Sequence, residues 1–446
     1  MSATPVIAIF DVGKTNKKLF LFDENYRIVF EKSAKFTETV DEDGFPCENL
    51  ESLHQSVFNS LRVVSQLKKF KIKAINFSAY GASFVCLGDD GKPVCPLYNY
   101  LKPYPEELSN QFYAQYDGKE NFSVQTASPV LGNLNSGLQL YRLKNEKPEV
   151  FNKIKYALHL PQYLSFLLTG QYYSDLASIG CHTGMWDFEK NEYHKWIQKE
   201  GIDQKLAPIE SADKTYKAIL PKCNYDIGIG LHDSSAALIP YLVSFIEPFV
   251  LISTGTWCIS LNPFNQSPLT VDELKNDCLC YMQYQGKPVK ASRLFSGYEH
   301  EQQVKRINEH FKDDSISYRN VTFDPQINNT LISKLPQTIH FADRNLSEFK
   351  NATEAYHQLI RDLVRLQVDS TMLVLKNSPV KRIFVDGGFS KNSVFMHLLA
   401  ASFPGIEVYA ASMAQASAIG AALVIHKAWN PNPIPKDIIQ LNYYSG

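Results

Sequence analysis

Residues 6–15, VIAIFDVGKT, decide the fold, because they join an apolar strand to a turn that contains an acid, a glycine and a hydroxyl. Residues 251–256, LISTGT, repeat the order of strand, glycine and hydroxyls about half a chain later. Two such turns at matched places suggest two related domains, each of which offers a backbone turn to one ligand. The repeated stretch is short, so two unrelated turns stay open as the alternative.

The sequence around the first turn predicts strands and one amphipathic helix. Alternating apolar residues and short polar breaks predict an antiparallel meander with strands at 6–10, 18–22 and 27–33. Apolar residues at helical spacing predict a helix over 48–68, and a further strand follows at 72–78. This order of strands and helix is typical of a layered α/β domain.

The remaining segments continue the alternation of strands and helices. A glycine-rich turn predicts a hairpin over 83–96, and a mostly helical segment follows over 134–168. The second half predicts further elements, which are helices at 354–377, from 390 and at 414–428, and strands at 249–252, 257–261, 382–385 and 406–409. No linker rich in Pro, Gly or Ser separates the halves, and the expected division is 1–244 and 245–446.

The composition excludes several classes of protein. The chain has 446 residues with 45 Lys+Arg against 46 Asp+Glu, so it lacks the basic field that non-specific nucleic-acid binding needs. Its most apolar region, 238–253, contains two prolines and a glutamate and is too short to cross a bilayer. The 8 cysteines show no CxxC spacing, which argues against a structural zinc site. We therefore expect a cytoplasmic protein with small-molecule partners, no nucleic acid and no membrane.

The first turn has the residue types of a phosphate and metal site. Gly13 allows the main chain to approach phosphate oxygens, and Lys14 and Thr15 can donate hydrogen bonds to them. Asp11 can hold Mg²⁺ directly or through water. An ordinary β-turn is the alternative for this segment.

The second turn offers similar chemistry from the other half of the chain. Thr254, Gly255 and Thr256 bring hydroxyls and amide groups to the end of a strand. Taken alone, this segment is equally a polar hairpin.

Residues 228–238, GIGLHDSSAAL, predict a loop that enters a helix. Asp233 at the helix start is either an N-cap or a general base that takes a proton from an attacking hydroxyl. His232 beside it is a candidate substrate contact or a packing residue.

Residues 385–392, VDGGFSKN, predict a strand that turns directly into a helix. Gly387 and Gly388 leave room for a flat ring against the backbone, and the amide of Asn392 can hydrogen-bond a base or ribose. A tight strand-to-helix turn without a ligand is the alternative. Small residues over 413–422 predict a further helix packed close to this turn.

In their order along the chain, these four segments resemble the FGGY carbohydrate kinases, a branch of the actin, sugar-kinase and Hsp70 superfamily. Residues 140–187 support the resemblance, with Pro-Glu at 148–149, Leu-Thr-Gly at 168–170 and an Asp-x-x-Ser pattern at 175–178. The resemblance implies an α/β fold with two ribonuclease-H-like domains of the actin ATPase type, which flank a central cleft for nucleotide and sugar. It also implies ATP and Mg²⁺ as cofactors.

The resemblance implies a role for each matched residue. Asp233 would be the catalytic base and Asp11 the Mg²⁺-linked carboxylate. The phosphate-binding residues would be Gly13, Lys14, Thr15, Thr254, Gly255 and Thr256, and the nucleotide-binding residues Gly387, Gly388 and Asn392. The sugar-binding residues would be Gly81, Ala82, Ser83, His232 and Asp233. The first three belong to a loop, residues 80–83, that is most like the sugar-contacting loop of rhamnulose and fuculose kinases. The first domain would bind the sugar and phosphates, and the second would bind the nucleotide.

The expected activity is transfer of the γ-phosphate of ATP to a hydroxyl of a ketose. Residues 98–102, YNYLK, replace the Trp-x-Asp-x-Arg pattern of the family, so the sugar is open between a deoxyhexulose, such as L-rhamnulose or L-fuculose, and a pentulose such as xylulose. A non-kinase member of the superfamily and a catalytically silent sugar sensor are the alternatives. The sequence is compatible with a homodimer.

Overall fold

The computed structural model describes residues 3–14, 16–34, 38–220, 223–313, 316, 320–334, 340–413 and 415–445. Thr15 of the predicted phosphate turn lies outside these residues. Two mixed sheets organise the two halves of the chain.

Strands and helices alternate through the first half. Its strands are β1 (Thr4–Val12), β2 (Lys17–Asp23), β3 (Ile28–Ala34), β4 (Thr39–Val40), β5 (Pro46–Cys47), β6 (Phe70–Ala79), β7 (Phe84–Leu87), β8 (Tyr156–His159), β9 (Trp186–Asp187), β10 (Glu192–Tyr193), β11 (Thr215–Lys217), β12 (Asp226–Gly228) and β13 (Leu231–His232). Its helices are α1 (Leu50–Ser65), α2 (Glu106–Gln115), α3 (Gly118–Gln125), α4 (Ser136–Glu146), α5 (Pro148–Lys153), α6 (Leu160–Thr169), α7 (Leu176–Ile179), α8 (Lys195–Lys199) and α9 (Asp233–Ser244).

The second half begins with β14 and continues the same alternation. Its strands are β14 (Phe249–Thr254), β15 (Cys258–Asn262), β16 (Cys278–Met282), β17 (Pro288–Leu294), β18 (Arg382–Gly387), β19 (Glu407–Ser412) and β20 (Gln440–Tyr444). Its helices are α10 (Val271–Lys275), α11 (Ser296–Phe311), α12 (Pro325–Lys334), α13 (Ala352–Leu375), α14 (Ser393–Ser402), α15 (Ala416–Val424) and α16 (His426–Trp429).

The two sheets share one pattern of strand directions. In the first sheet, β1 pairs antiparallel with β2 and parallel with β6, while β2 pairs antiparallel with β3 and β6 pairs parallel with β12. In the second, β14 pairs antiparallel with β15 and parallel with β18, while β15 pairs antiparallel with β17 and β18 pairs parallel with β19. The strand that precedes each glycine turn therefore has the same position in its sheet.

Local sequence explains several boundaries of these elements. Asn49 begins α1 because its side chain accepts a hydrogen bond from the amide of Ser52 at 2.9 Å, a cap worth about 1 kcal/mol. The apolar face of α1 is buried, as the helical spacing predicts. At the end of α6, Gly170 has a φ of 64°, a left-handed conformation that glycine adopts without strain.

Two predictions for the first half need correction. Residues 83–96 do turn back at the predicted glycines, but the main partner of β7 is β8, about seventy residues further along the chain. The segment 134–168 is helical in α4, α5 and α6, but β8 interrupts it. A four-residue strand within helical sequence carries too little periodicity to be recognised.

Helices α9 and α15 pack against each other where the two halves meet. A Cβ atom on Gly420 would lie 1.8 Å from the carbonyl oxygen of Ala236, so only glycine permits this approach. The side-chain amide of Asn76 in β6 donates to the carbonyl oxygen of Ala421 at 2.8 Å. The small residues of α15 therefore pack against α9, while Met413, at the start of the same segment, hydrogen-bonds through its backbone to Asp386 beside Gly387.

One hydrophobic core includes residues from both halves, among them Ile9, Ile239, Leu251 and Ala422. This shared core fixes the ends of β1 and β14 relative to each other. In the described part of the chain, no helix combines the length and the apolar character needed to span a bilayer.

Candidate active site

The ends of β1, β14 and α9 meet at a cleft between the two sheets. Asp11 is near the end of β1, and its Oδ2 accepts a hydrogen bond from the hydroxyl of Ser417 in α15 at 3.1 Å. Asp233 is the first residue of α9. A cavity of about 210 Å³ opens beside them, and its polar lining comes from both halves, with Asp233, Ser234, Ser253, Tyr281 and Ser417.

Asp233 is a carboxylate whose environment favours a proton acceptor near neutral pH. Burial raises its pKa to about 6, and hydrogen bonds from Ser234 oppose this rise. The amide of Ser234 donates to Oδ1 at 2.6 Å, and its hydroxyl donates to the same oxygen at 3.3 Å. A base works best when its pKa is close to the working pH, so this shift suits proton abstraction.

Asp11 is close enough to Asp233 for the two charges to interact. Burial, and after it the charge of Asp233, raise the pKa of Asp11 to about 6, while hydrogen bonds from Ser417 and Ser78 oppose this rise. A cation that binds on one side to these two desolvated carboxylates and on the other side to a phosphate would stabilise their charged forms. The described residues contain no group of three or more His, Cys, Asp or Glu side chains that could hold a metal ion. A site completed by substrate phosphates and waters is usual for Mg²⁺, so Asp11 fits this ion.

His232 is buried behind Asp233 and is neutral at physiological pH. Burial lowers its pKa to about 4, and its Nε2 lies 3.3 Å from Oδ1 of Asp233 and 3.3 Å from Sγ of Cys181. A Cβ atom on Gly81 would lie 2.7 Å from Cδ2 of His232, so glycine is required where this loop crosses the ring. His232 therefore contacts the candidate base directly.

The predicted sugar loop presents mainly its backbone. The carbonyl oxygen of Ala82, a residue with a φ of 60°, accepts a hydrogen bond from the side chain of Gln139 at 2.7 Å. The side chain of Ser83 is buried, and its hydroxyl lies 3.5 Å from the carbonyl oxygen of Tyr98. Of the three predicted residues, Gly81 is the one that is partly exposed, and it lies against His232.

The first glycine turn is short and closed by a backbone hydrogen bond. The amide of Gly13 donates to the carbonyl oxygen of Asn16 at 2.9 Å. The ammonium group of Lys14 lies 3.2 Å from Glu38 and 3.7 Å from Glu48, so acidic side chains already pair with it. Lys14 must exchange these partners to reach a phosphate.

The second turn divides its residues between the interior and the surface. The hydroxyl of Thr254 donates to the carbonyl oxygen of Asp386 at 2.5 Å and accepts from the amide of Phe389 at 3.0 Å. Thr254 is buried, whereas Gly255 and Thr256 are exposed. The hydroxyl of Thr256 is therefore better placed for a ligand than that of Thr254.

The Gly387 turn also separates structural residues from accessible ones. Gly387 has a φ of 93°, and a Cβ atom there would lie 1.9 Å from the carbonyl oxygen of Thr254. Gly388 is exposed and has open space where a side chain would be. Asn392 is fully buried, where it accepts from the amide of Phe395 at 3.0 Å and donates to the hydroxyl of Tyr356 at 2.9 Å. Its side chain caps α14 and is not available to a base or ribose, contrary to the prediction.

Three residues at the cleft were not predicted from the sequence to have a role there. Ser417 contacts Asp11 from 406 positions away, and its only signal was a run of small residues. Tyr281 lines the cavity and stacks on His232, with ring centroids 6.2 Å apart. A Cβ atom on Gly297 would lie 1.8 Å from the carbonyl oxygen of Gly255, so the start of α11 packs directly on the second turn.

Two sheets that share a common order and direction of six strands, with a cleft between them, define the class of two-domain, actin-like ATPase folds, as expected from the sequence. Within this class the chain belongs to the FGGY family of carbohydrate kinases. Residues 6–239 match the N-terminal domain of that family, and residues 246–433 match the carbohydrate kinase FGGY C-terminal domain. The resemblance stated from four motifs is thereby confirmed.

Individual relatives are distant in sequence. The chain is 23% identical over 271 residues to the rhamnulokinase of Halalkalibacterium halodurans, a match that covers 58% of this chain and 56% of the relative. It is 28% identical over 264 residues to the xylulose kinase of Lactococcus lactis, a match that covers 55% of this chain and 51% of the relative. The chain thus spans about half the length of the curated relatives it matches.

Solved structures extend the similarity of fold to nearly the whole chain. A carbohydrate kinase from Novosphingobium aromaticivorans superimposes with a TM-score of 0.81 at 24% identity, covering 99% of this chain and 94% of that one. At this level of identity the match shows the fold.

Proposed function

We propose that this protein is an ATP-dependent carbohydrate kinase that transfers the γ-phosphate of ATP to a hydroxyl of a ketose. The observation that carries the proposal is the pair Asp11 and Asp233, two interacting carboxylates of raised pKa in the first half, beside a cleft lined by both halves. Membership of the FGGY family supports the reaction class. The similarity to a rhamnulokinase and a xylulose kinase supports a ketose as acceptor, either a deoxyhexulose such as L-rhamnulose or L-fuculose or a pentulose such as xylulose.

Asp233 takes the proton of the attacking hydroxyl in this proposal. Phosphoryl transfer needs little covalent help from a protein, so positioning and charge neutralisation supply most of the rate. The two hydrogen bonds from Ser234 hold Oδ1 of Asp233 in place, while the remaining oxygen is available to the sugar. His232 positions the carboxylate from behind and, with Gly81, forms the wall against which the sugar would lie.

The phosphates would lie along backbone turns from both halves. Gly13 and Gly255 let the backbone approach the phosphates at the ends of β1 and β14, although their own amides donate to Asn16 and Trp257. Thr256 supplies an exposed hydroxyl, and Gly388 leaves space for the nucleoside. Asp11 would hold Mg²⁺, which supplies neutralisation of phosphate charge when it is bound. We place the reaction in the cytoplasm, where ATP is available.

A coupled ADP-release screen against ketoses and polyols tests the proposal. We expect one acceptor to raise ADP release at least 100-fold above the sugar-free rate, as a gain of order 10² or more from a positioned base requires. Asp233→Asn should abolish this gain. Asp89→Asn should retain it, because the Asp89 side chain is 91% exposed and pairs with Lys155 on the surface.

Two outcomes would favour the alternatives. ATP hydrolysis that no sugar stimulates, accompanied by ATP-dependent light scattering, would indicate a filament-forming or other non-kinase member of the superfamily. Calorimetric binding of a sugar without any ADP release would indicate a sugar sensor. Either result would overturn the kinase proposal.

A further inference from the structure

A second cavity lies in the second half, on the side of α13 that faces α12 and α14. Its volume is about 340 Å³, larger than the cleft cavity of about 210 Å³. Small-molecule sites in proteins have volumes of about 300–1,000 Å³, so a ligand of modest size can be accommodated. The cavity is separate from the cleft because α14 begins at the Gly387 turn, and the cavity contacts Leu398, Ala401 and Ser402 near the opposite end of this helix.

The lining of this cavity contains polar atoms that lack hydrogen-bond partners. Among the described residues, Nε of Arg361, Nε and Nη2 of Arg365 and Oε1 of Gln358 are buried and have none. Gln358 is 3% exposed and lines the cavity, and its amide nitrogen donates to Asp362 at 2.8 Å. Burying polar atoms without partners costs free energy, so four such atoms on three residues that line one cavity indicate a ligand there.

The charges of the lining favour an anion. Arg344 forms two hydrogen bonds with Asp362, at 2.7 and 3.0 Å, and this buried pair is neutral as a unit. Arg361 is held by one hydrogen bond from Nη1 to Asn328 at 2.5 Å, and an amide oxygen does not neutralise its charge. With the Arg344–Asp362 pair set aside, the charged groups of the lining are Arg361, Arg365 and the exposed Asp369, which is two cations and one carboxylate.

The donors and the acceptor together define the chemistry of the ligand. Guanidinium groups bind phosphate through several N–H groups at once, which suits the three unpartnered nitrogens of Arg361 and Arg365. The oxygen of Gln358 accepts a hydrogen bond and requires a donor such as a hydroxyl. We propose that the cavity between α12, α13 and α14 binds a small phosphorylated polyhydroxy compound, with its phosphate on Arg361 and Arg365 and a hydroxyl on Gln358.

Isothermal titration calorimetry on the full chain tests this site with inorganic phosphate, glucose 6-phosphate and glucose. Ala401 lines the cavity and is exposed, so a carboxylate introduced there competes with an anion without disturbing the core. We expect glucose 6-phosphate to bind at least about tenfold more tightly than phosphate, which corresponds to about 1.4 kcal/mol from the hydroxyl contact. Ala401→Asp should weaken both by at least about tenfold, and the isosteric Ala401→Asn should change them by less than about threefold.

Several results would overturn the proposal. If neither inorganic phosphate nor glucose 6-phosphate bound to the unmodified chain, the site would be excluded. If the two bound with equal affinity, the hydroxyl contact with Gln358 would be excluded. Binding that Ala401→Asp leaves unchanged would place the ligand elsewhere, including in the cleft. Arg365→Gln provides an independent variant, which should also weaken binding while thermal unfolding confirms its fold. None of these measurements uses ATP or a sugar acceptor, so they stand apart from the kinase assay.

Discussion

The two halves of the molecule place matching strands at the cleft but use their side chains there in different ways. In the first half, Asp11 and Asp233 are carboxylates with few hydrogen bonds, and burial raises the pKa of each to about 6. In the second half, Thr254 and Asn392 have their side chains occupied by hydrogen bonds within the protein. The difference suggests that the first half supplies the charged groups for chemistry, while the second supplies a backbone surface of fixed shape.

Asp233→Asn should produce the largest effect on activity. Loss of the base should lower kcat by about 10²–10⁴ with little change in fold, because asparagine has the same size but does not accept the proton. Steady-state kinetics with saturating sugar and ATP measures this loss, and Asp89→Asn is the matched control at an exposed site. Near-full turnover of Asp233→Asn would remove the chemical role assigned to the first half.

The adjacent glycines of the second half allow the proposed backbone surface to be tested. Gly387→Ala should destabilise the protein by about 3 kcal/mol, since the residue has a φ of 93° and the new methyl group would lie 1.9 Å from a carbonyl oxygen. Gly388→Ala should change stability by less than about 1 kcal/mol, because its surroundings are open, and should instead raise KM for ATP. Urea unfolding and ATP titrations distinguish the two variants. Equal stability losses would show that the turn is uniformly structural.

Variants of Thr254 and Thr256 distinguish a structural role from a ligand contact within the second glycine turn. Thr254→Val removes the donor to Asp386 and leaves the amide of Phe389 without its acceptor, so we expect a loss of about 1–3 kcal/mol in the free energy of unfolding. Thr256→Val replaces an exposed hydroxyl and should change stability by less than about 0.5 kcal/mol while raising KM for ATP. If Thr254→Val were fully stable and defective only in ATP binding, Thr254 would belong to the phosphate site.

The sequence was informative where a residue's own strand or helix determines its position. Asp11 closes a buried strand and Asp233 begins a helix, and these local features bring both acids to the cleft. The role of Asn392 could not be predicted in this way, because an amide after a glycine turn can face a ligand or cap the next helix. The deciding partner is Tyr356, which lies 36 positions earlier in a different helix.

Contacts between the two halves could also not be predicted from the sequence. The small residues over 413–422 predict close packing, but they do not identify α9 as the partner. Ser417 reaches Asp11 only because α15 crosses to the first half, which is a property of the assembled domains. Short motifs therefore predicted the acids and the turns, while the arrangement of their neighbours depended on tertiary packing.

A modest pH-dependent change in stability is expected from Asp233. Its pKa is about 6 in the folded protein against 3.8 in the unfolded chain, so the folded state binds more protons between these values and loses stability as the pH rises through them. Asp233→Asn lacks this loss and should be more stable than the unmodified chain at pH 7.5, with the difference vanishing below about pH 4. We expect about 1 kcal/mol, less than full linkage gives, because 35% of the Asp233 side chain is exposed.

His232 acts in the opposite direction but cancels in this comparison. Its folded pKa of about 4 lies below 6.5, so its contribution to stability is lost as the pH falls, equally in both variants. Urea unfolding at pH 4 and pH 7.5 therefore measures Asp233 together with the part of the Asp11 pKa shift that the charge of Asp233 causes. The same stability difference at both pH values would mean that Asp233 titrates normally, and the contrast between desolvated acids in the first half and hydrogen-bonded side chains in the second would then fail at its central residue.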